Sequence, residues 1–117
     1  MIGPLCMLLP LFADCAQYTR PAGAPPALVE RAREYDRRTV RTWGKVERLE
    51  HRISRRGTAY DVFWLCDGMC LRTYNPARTG LHDGQNVSVT GTFYRERTVG
   101  GFTFRNEIEA TEIAVER

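Results

Sequence analysis

Ten side chains in this sequence could act together on one ligand: Trp43, Lys45, Arg52, Arg55, Arg56, Trp64, Arg72, Tyr74, Arg95 and Arg97. Their types offer two complementary kinds of contact. Aromatic rings stack on flat π-faces, nucleobases among them, for about 1–3 kcal/mol per base. Cations follow a phosphate backbone with an affinity that salt weakens. A blander reading stands beside this one. Arginines in loops are mostly solvated, either tryptophan could instead seat an apolar helix face, and Glu47 and Glu96 dilute the positive field.

Other chemistry is thinly represented. Cys66 and Cys70 flank Asp67-Gly68-Met69, and a three-residue turn would set them opposite each other on adjacent strands. A disulfide is then within geometric reach, and an oxidising compartment favours it; in a reducing one they stay as partly buried thiols. Two cysteines do not complete a four-ligand zinc site, so no metal is expected. His51 and His82 lie in loops with no recognisable nucleophile or paired carboxylates nearby, and Asp67 and Asp83 each precede a glycine, which turn chemistry explains. Gly100-Gly101 lacks the lysine and helix of a phosphate-cradling loop. The inventory points to a binding module without a cofactor, and not to an enzyme.

The elements that must position these residues fit one domain. The chain has 117 residues, 43% of them hydrophobic, enough for one modest core. A net charge of +3 does not by itself indicate nucleic acid. Its distribution is more telling: Glu30 to Arg56 holds ten Lys/Arg against five acids, whereas Arg105 to Arg117 holds two against four.

Residues 1–16, MIGPLCMLLPLFADCA, form an apolar run about as long as a signal-peptide core. No Lys or Arg precedes it, and Pro4 and Pro10 interrupt it. Leu11 to Cys15 loosely resembles a bacterial lipoprotein box, in which Cys15 would be lipidated and tether the chain to a membrane, although Asp14 stands where a small residue is wanted. Export or membrane anchoring is one reading. A misassigned start or an apolar tail on a cytoplasmic chain is the other. Residues 17–26, QYTRPAGAPP, read as a flexible linker, and 27–36 as a short helix with Leu28, Ala32 and Tyr35 on one face.

From Thr39 the period changes to two. Val40, Thr42, Gly44 and Val46 alternate with polar or exposed types, and Gly44 suggests a bend in a long first strand. A basic loop, His51 to Gly57, leads to a hairpin with Phe63 and Leu65 on one face and Tyr60, Val62, Trp64 and Cys66 on the other. Asn75-Pro76 ends the third strand. Residues 77–85 connect, with room for one helical turn, to a fourth strand over 86–95. A second loop, Arg95 to Gly101, leads to a fifth strand over 102–115, whose inward set of Phe104, Ile108 and Ala110 shifts to Ile113 and Val115 across an irregularity near Asn106 or Thr111.

Five strands in this order, with a bent first strand and a connector after the third, describe an all-β, OB-type Greek-key barrel with a short N-terminal helix. The order Val46, Gly57, Phe63-Trp64-Leu65-Cys66-Asp67-Gly68 and Leu81-His82-Asp83-Gly84-Gln85-Asn86-Val87-Ser88-Val89-Thr90-Gly91 resembles the nucleic-acid-binding OB domains of the tRNA-anticodon and exonuclease VII type. The resemblance covers about residues 39–115. The resemblance implies that the ligand lies on the outer face of the first three strands, where the two-residue period puts Trp43, Lys45, Trp64, Arg72 and Tyr74, flanked by Arg52, Arg55 and Arg56 in one loop and Arg95 and Arg97 in another. It also implies single-stranded nucleic acid as partner, bound with a steep salt dependence. The leader supports the alternative of an exported or anchored envelope protein whose barrel binds a protein, peptide or glycan.

Overall fold

The computed structural model describes residues 21–116. The leader, with Cys15 and the first part of the expected linker, lies outside them. Alternating apolar and polar residues build β1 (Thr39–Ile53), β2 (Ala59–Cys66), β3 (Cys70–Asn75), β4 (Asn86–Val99) and β5 (Phe102–Val115). They close into a barrel in the order β1-β2-β3-β5-β4. Only β3 and β5 run parallel among the paired strands; the other pairs are antiparallel. This is the five-stranded OB barrel expected from the sequence.

Closure depends on β1 serving two neighbours. Its first half pairs with β4, from Thr39 opposite Thr92 to Lys45 opposite Asn86, and its second half pairs with β2 from Lys45 opposite Cys66 onward. Gly44 marks the change, because a Cβ there would lie 2.8 Å from the Cys66 carbonyl oxygen. A bulge follows: Arg48 sits at φ 53° and the register shifts between Glu47 and Glu50. Across the barrel, Gly91 is held against the Glu109 carbonyl with no room for a side chain.

The core is formed by Val40, Val46, Phe63, Leu65, Leu71, Leu81, Val87, Val89, Phe93, Ile108 and Ala110, with Leu28 added from the helical segment. The helix starts earlier than the periodicity suggested, as α1 (Pro25–Glu30), with proline in its first turn where no amide hydrogen is missed. It breaks at Arg31 and resumes as α2 (Ala32–Tyr35). Leu28 is fully buried in the barrel core, so the helix spends its apolar face there, and Trp43 and Trp64 stay 37% and 36% exposed. Before it, Arg41 donates to the Pro21 carbonyl at 2.9 Å and Gly23 donates to the Arg41 carbonyl at 3.1 Å, which docks the last part of the expected linker on β1.

Three sequence expectations change. The 77–85 connector holds no helical turn; Leu81 is buried, and Gly84, Gln85 and Asp83 bond to the backbone of Val46 and Leu49 instead. The loops are shorter than expected, 54–58 between β1 and β2 and Gly100-Gly101 between β4 and β5, so Arg52, Arg95 and Arg97 are strand residues. Gly100 and Gly101 supply the two positive φ angles of a tight hairpin turn, which lets β4 and β5 pair to their tips. Finally, the inward set of β5 excludes Phe104 and Val115. Asn106 at φ 53° turns the strand over, and Phe104 joins the outer face; beyond the register shift opposite Thr90 and Gly91, Ile113 packs on the core but Val115 is 50% exposed.

Candidate functional site

Register fixes what shares the outer face of β2, β3 and β5. Trp64 stands opposite Glu47 and Arg72, and Arg72 opposite Glu107; in the next row Val62 stands opposite Glu50 and Tyr74, and Tyr74 opposite Glu109. Arg52 stands opposite Tyr60 in the row beyond. The β4–β5 hairpin projects past the barrel and adds Arg97, Val99, Phe102 and Phe104 along the other side. Between the two walls runs a groove of about 620 Å³, lined also by Ser54 and Thr58 of the β1–β2 loop.

The groove is aromatic in its walls and ion-paired in its floor. Tyr60 and Tyr74 lie with ring centroids 5.3 Å apart, and Phe102 on the hairpin is 70% exposed. Glu107 is 1% exposed and takes hydrogen bonds from two guanidinium groups: Arg72 Nη1 to Oε2, and Arg97 Nε and Nη2 to Oε1, the latter at 3.0 and 2.5 Å. Arg97 Nη1 also donates to Glu109 Oε1 at 2.6 Å. Each guanidinium is further stacked, Arg72 at 3.8 Å from the Phe104 ring centroid and Arg97 at 4.2 Å from that of Tyr94. Burial, followed by the charges of Arg52 and Arg97, lowers the Arg72 pKa, but an arginine so placed remains a cation. Arg52 is paired with Glu50 at 2.8 Å, a hydrogen bond that raises its pKa.

Of the residues singled out in sequence, Arg52, Arg72, Tyr74 and Arg97 line this groove. Arg55 and Arg56 are exposed on the adjoining loop and form no ion pair among the described residues. Trp64 borders it through its cross-strand neighbour Arg72. Trp43 and Lys45 line a separate cavity with Cys66, Cys70, Glu47, Asp67 and Glu116. Arg95 lies with Val29, Ala32 and Arg105 beside the helical segment, and its amide donates to Asp36 Oδ1. Cys66 and Cys70 pair across the 67–69 turn and are joined by a disulfide. The site also contains Tyr60, Phe102, Phe104, Glu107 and Glu109, which the selection passed over. Glu107 and Glu109 flank inward Ile108 in alternation, a pattern that marks outward carboxylates; Phe104 could not be placed without the Asn106 reversal.

A second polar cluster braces the groove from within the fold. Asp61 is fully buried and accepts from His51 Nδ1 at 2.7 Å, Thr79 N and Oγ1 at 2.8 Å each, and Arg78 Nη1 at 3.1 Å. Burial alone would raise its pKa, but these hydrogen bonds outweigh it and lower the pKa from 3.8 to about 2. Asp61 thus ties the β3–β4 connector to β2, beneath Tyr60.

No family model matches the chain, and no curated protein does. Among solved structures, it is similar to a putative aspartyl-tRNA synthetase from Leishmania major Friedlin, with 16% identity and a TM-score of 0.56 over 82% of this chain and 20% of that one. It is also similar to the asparaginyl-tRNA synthetase from Pyrococcus horikoshii, with 18% identity and a TM-score of 0.51 over 70% of this chain and 20% of that one. A small single-stranded DNA-binding protein from Streptomyces coelicolor aligns at 16% identity and a TM-score of 0.48, over 69% of this chain and 94% of that one. The chain thus spans about a fifth of the length of the two synthetases. At such identities the two synthetase likenesses speak for the fold alone, and they agree with the OB barrel read from its strand order.

Proposed function

We propose that this domain is a non-enzymatic OB-fold module that binds single-stranded nucleic acid in the groove between the β1–β2 loop and the β4–β5 hairpin. The observation that carries the proposal is the ring-lined groove itself: Tyr60, Tyr74, Phe102 and Phe104 around a floor whose charges are already paired. Stacking on such rings tolerates any base, because every base has a π-face. It requires unpaired bases, which suits a single strand. The resemblance of the hairpin and fourth strand to nucleic-acid-binding OB domains, and the names of the two tRNA synthetases above, support the same reading.

The electrostatics differ from what the count of arginines suggested. Arg72 and Arg97 are neutralised by Glu107 and Glu109, and Arg52 by Glu50. That leaves Arg55 and Arg56 as the rim cations free for phosphates. With two such contacts on a single strand, the slope of log K against log salt is about −1.4, a shallow dependence. The test is a fluorescence-anisotropy titration of labelled thymidine and uridine homopolymers against the domain over a salt series. Saturable binding with a shallow slope, lost on Arg55→Ala with Arg56→Ala only in its salt-dependent part, is expected; absence of binding at low salt would sink the proposal.

The Cys66–Cys70 disulfide favours a second reading. Disulfides persist in oxidising compartments, which agrees with an exported domain behind the apolar leader, whose groove would take a protein, peptide or glycan partner. A charge-paired, aromatic groove also suits a sugar ring or an apolar side chain. Oligosaccharide or peptide binding in the same titration format, with no oligonucleotide binding, would decide for it.

A further inference from the structure

The cavity at the other end of the outer face, about 720 Å³, is chemically unlike the groove. Three carboxylates, on Glu47, Asp67 and Glu116, stand against the one ammonium of Lys45. Its charge suits a cation, not a phosphate. Within it, one ligand atom each from Glu47, Cys66 and Cys70 lie within 4.8 Å of one another. Register holds them there: Cys66 stands opposite both Lys45 and Cys70, and Glu47 follows Lys45 by two residues on the same face of β1.

The disulfide between the two cysteines closes a loop that is closed already. They stand four positions apart, with only three residues between them, at the end of a ladder of six β2–β3 pairs, with Asp67 N donating to Met69 O at 2.8 Å inside the turn. A cross-link stabilises chiefly by restricting the unfolded chain, and it restricts least where the loop is short. Stability therefore accounts poorly for a cysteine pair at this place. Cys70 is exposed and Cys66 half-buried, so a reductant can reach the bond.

We propose that Cys66, Cys70 and Glu47 form a redox-gated site for a thiophilic divalent cation of the zinc type. A dithiol reductant gives two electrons and two protons to the disulfide, leaving Cys66 and Cys70 as thiols and the reductant as its own disulfide. The cation then displaces both thiol protons and binds two thiolates and the Glu47 carboxylate. Two sulfurs and one carboxylate oxygen leave the fourth tetrahedral position open to water. In the reverse step a disulfide oxidant, such as the oxidised form of that reductant, takes two electrons from the two thiolates and two protons from water to become a dithiol; the Cys66–Cys70 bond re-forms and the cation is released.

Cobalt(II) is the probe, since thiolate ligation gives charge-transfer absorption and a tetrahedral site gives strong visible bands. The chain used carries Cys6→Ser and Cys15→Ser, so that Cys66 and Cys70 are its only sulfhydryl sources. Reduced with a phosphine, it should bind one equivalent of cobalt with both signatures, displaced by zinc; air-oxidised, it should show neither. Glu47→Gln, an exposed position that leaves the barrel intact, should weaken binding at least about tenfold, as loss of even an outer-sphere partner does. Absence of charge-transfer bands in the reduced chain, or bands of unchanged affinity in Glu47→Gln, would overturn the proposal.

Discussion

Glu107→Gln tests the ion-paired floor of the groove most sharply, because it should move stability and salt dependence in ways that no surface substitution would. The Glu107 carboxylate is 1% exposed and holds Arg72 and Arg97, whose side chains are 14% and 20% exposed. Glutamine keeps the shape and one acceptor oxygen but withdraws the charge. Two half-buried guanidinium groups are then left with Glu109 beside Arg97 and the charge of Glu50 acting on Arg72. Breaking a buried ion pair by removing one partner costs about 3–5 kcal/mol, and the retained acceptor places the expected loss near the lower end, about 3 kcal/mol. For a domain of this size a urea slope of about 1.5 kcal/mol per molar turns that into a midpoint lower by about 2 M. The same substitution adds one positive charge to the groove. If the ligand is a single strand, the salt slope should steepen by about 0.7, from about −1.4 to about −2.1. Urea unfolding followed by fluorescence reads the first effect and anisotropy titrations over a salt series read the second. A variant as stable as the parent, with an unchanged slope, would refute the view that Glu107 neutralises the groove.

Phe102→Ala should leave stability within about 0.5 kcal/mol, since the ring is 70% exposed, yet weaken oligonucleotide binding by about 1–3 kcal/mol, read by the same titration. Asp61 predicts an acid-sensitive fold. Its folded pKa of about 2 lies below its ordinary 3.8, so the unfolded chain takes up the proton first. Its stabilisation, about 2 kcal/mol, is complete above about pH 4 and lost as pH falls towards 2. Urea midpoints from pH 5 to 2 should fall in the parent and fall less in Asp61→Asn; parallel curves would count against it. Thr42→Val should stabilise by about 1 kcal/mol in urea unfolding, because the Thr42 hydroxyl is buried with no hydrogen-bond partner among the described residues and the valine keeps its shape.

The barrel was legible because its signals are local. Alternation in Val87-Ser88-Val89 and Phe63-Trp64-Leu65 fixes which face is buried wherever one face meets a core, and Gly44 announced the bend that lets β1 pair twice. The site was only half legible, for two physical reasons. First, strand length depends on partners: the β4–β5 hairpin extends because Thr98 and Thr103 pair across a Gly-Gly turn, and that moved Arg95 and Arg97 from a loop to opposite sides of a ribbon. Second, a single residue in an unusual conformation reverses everything beyond it. Asn106 put Phe104 into the groove, where two-residue counting had put it in the core. Charge was the hardest quantity to read, since Glu107 lies ten residues from Arg97 and 35 from Arg72 in sequence, and neither spacing suggests that one carboxylate cancels both.

Amide chemical-shift mapping would show where on the barrel a single strand binds. The ¹⁵N-labelled domain would be titrated with a short thymidine homopolymer at low salt, and its shifts followed residue by residue. The largest changes are expected at Arg55, Tyr60, Tyr74, Phe102 and Phe104, with saturation at a single stoichiometry and little change at Trp43 and Lys45. Shifts centred on Trp43 and Lys45, or none anywhere, would contradict binding in the groove.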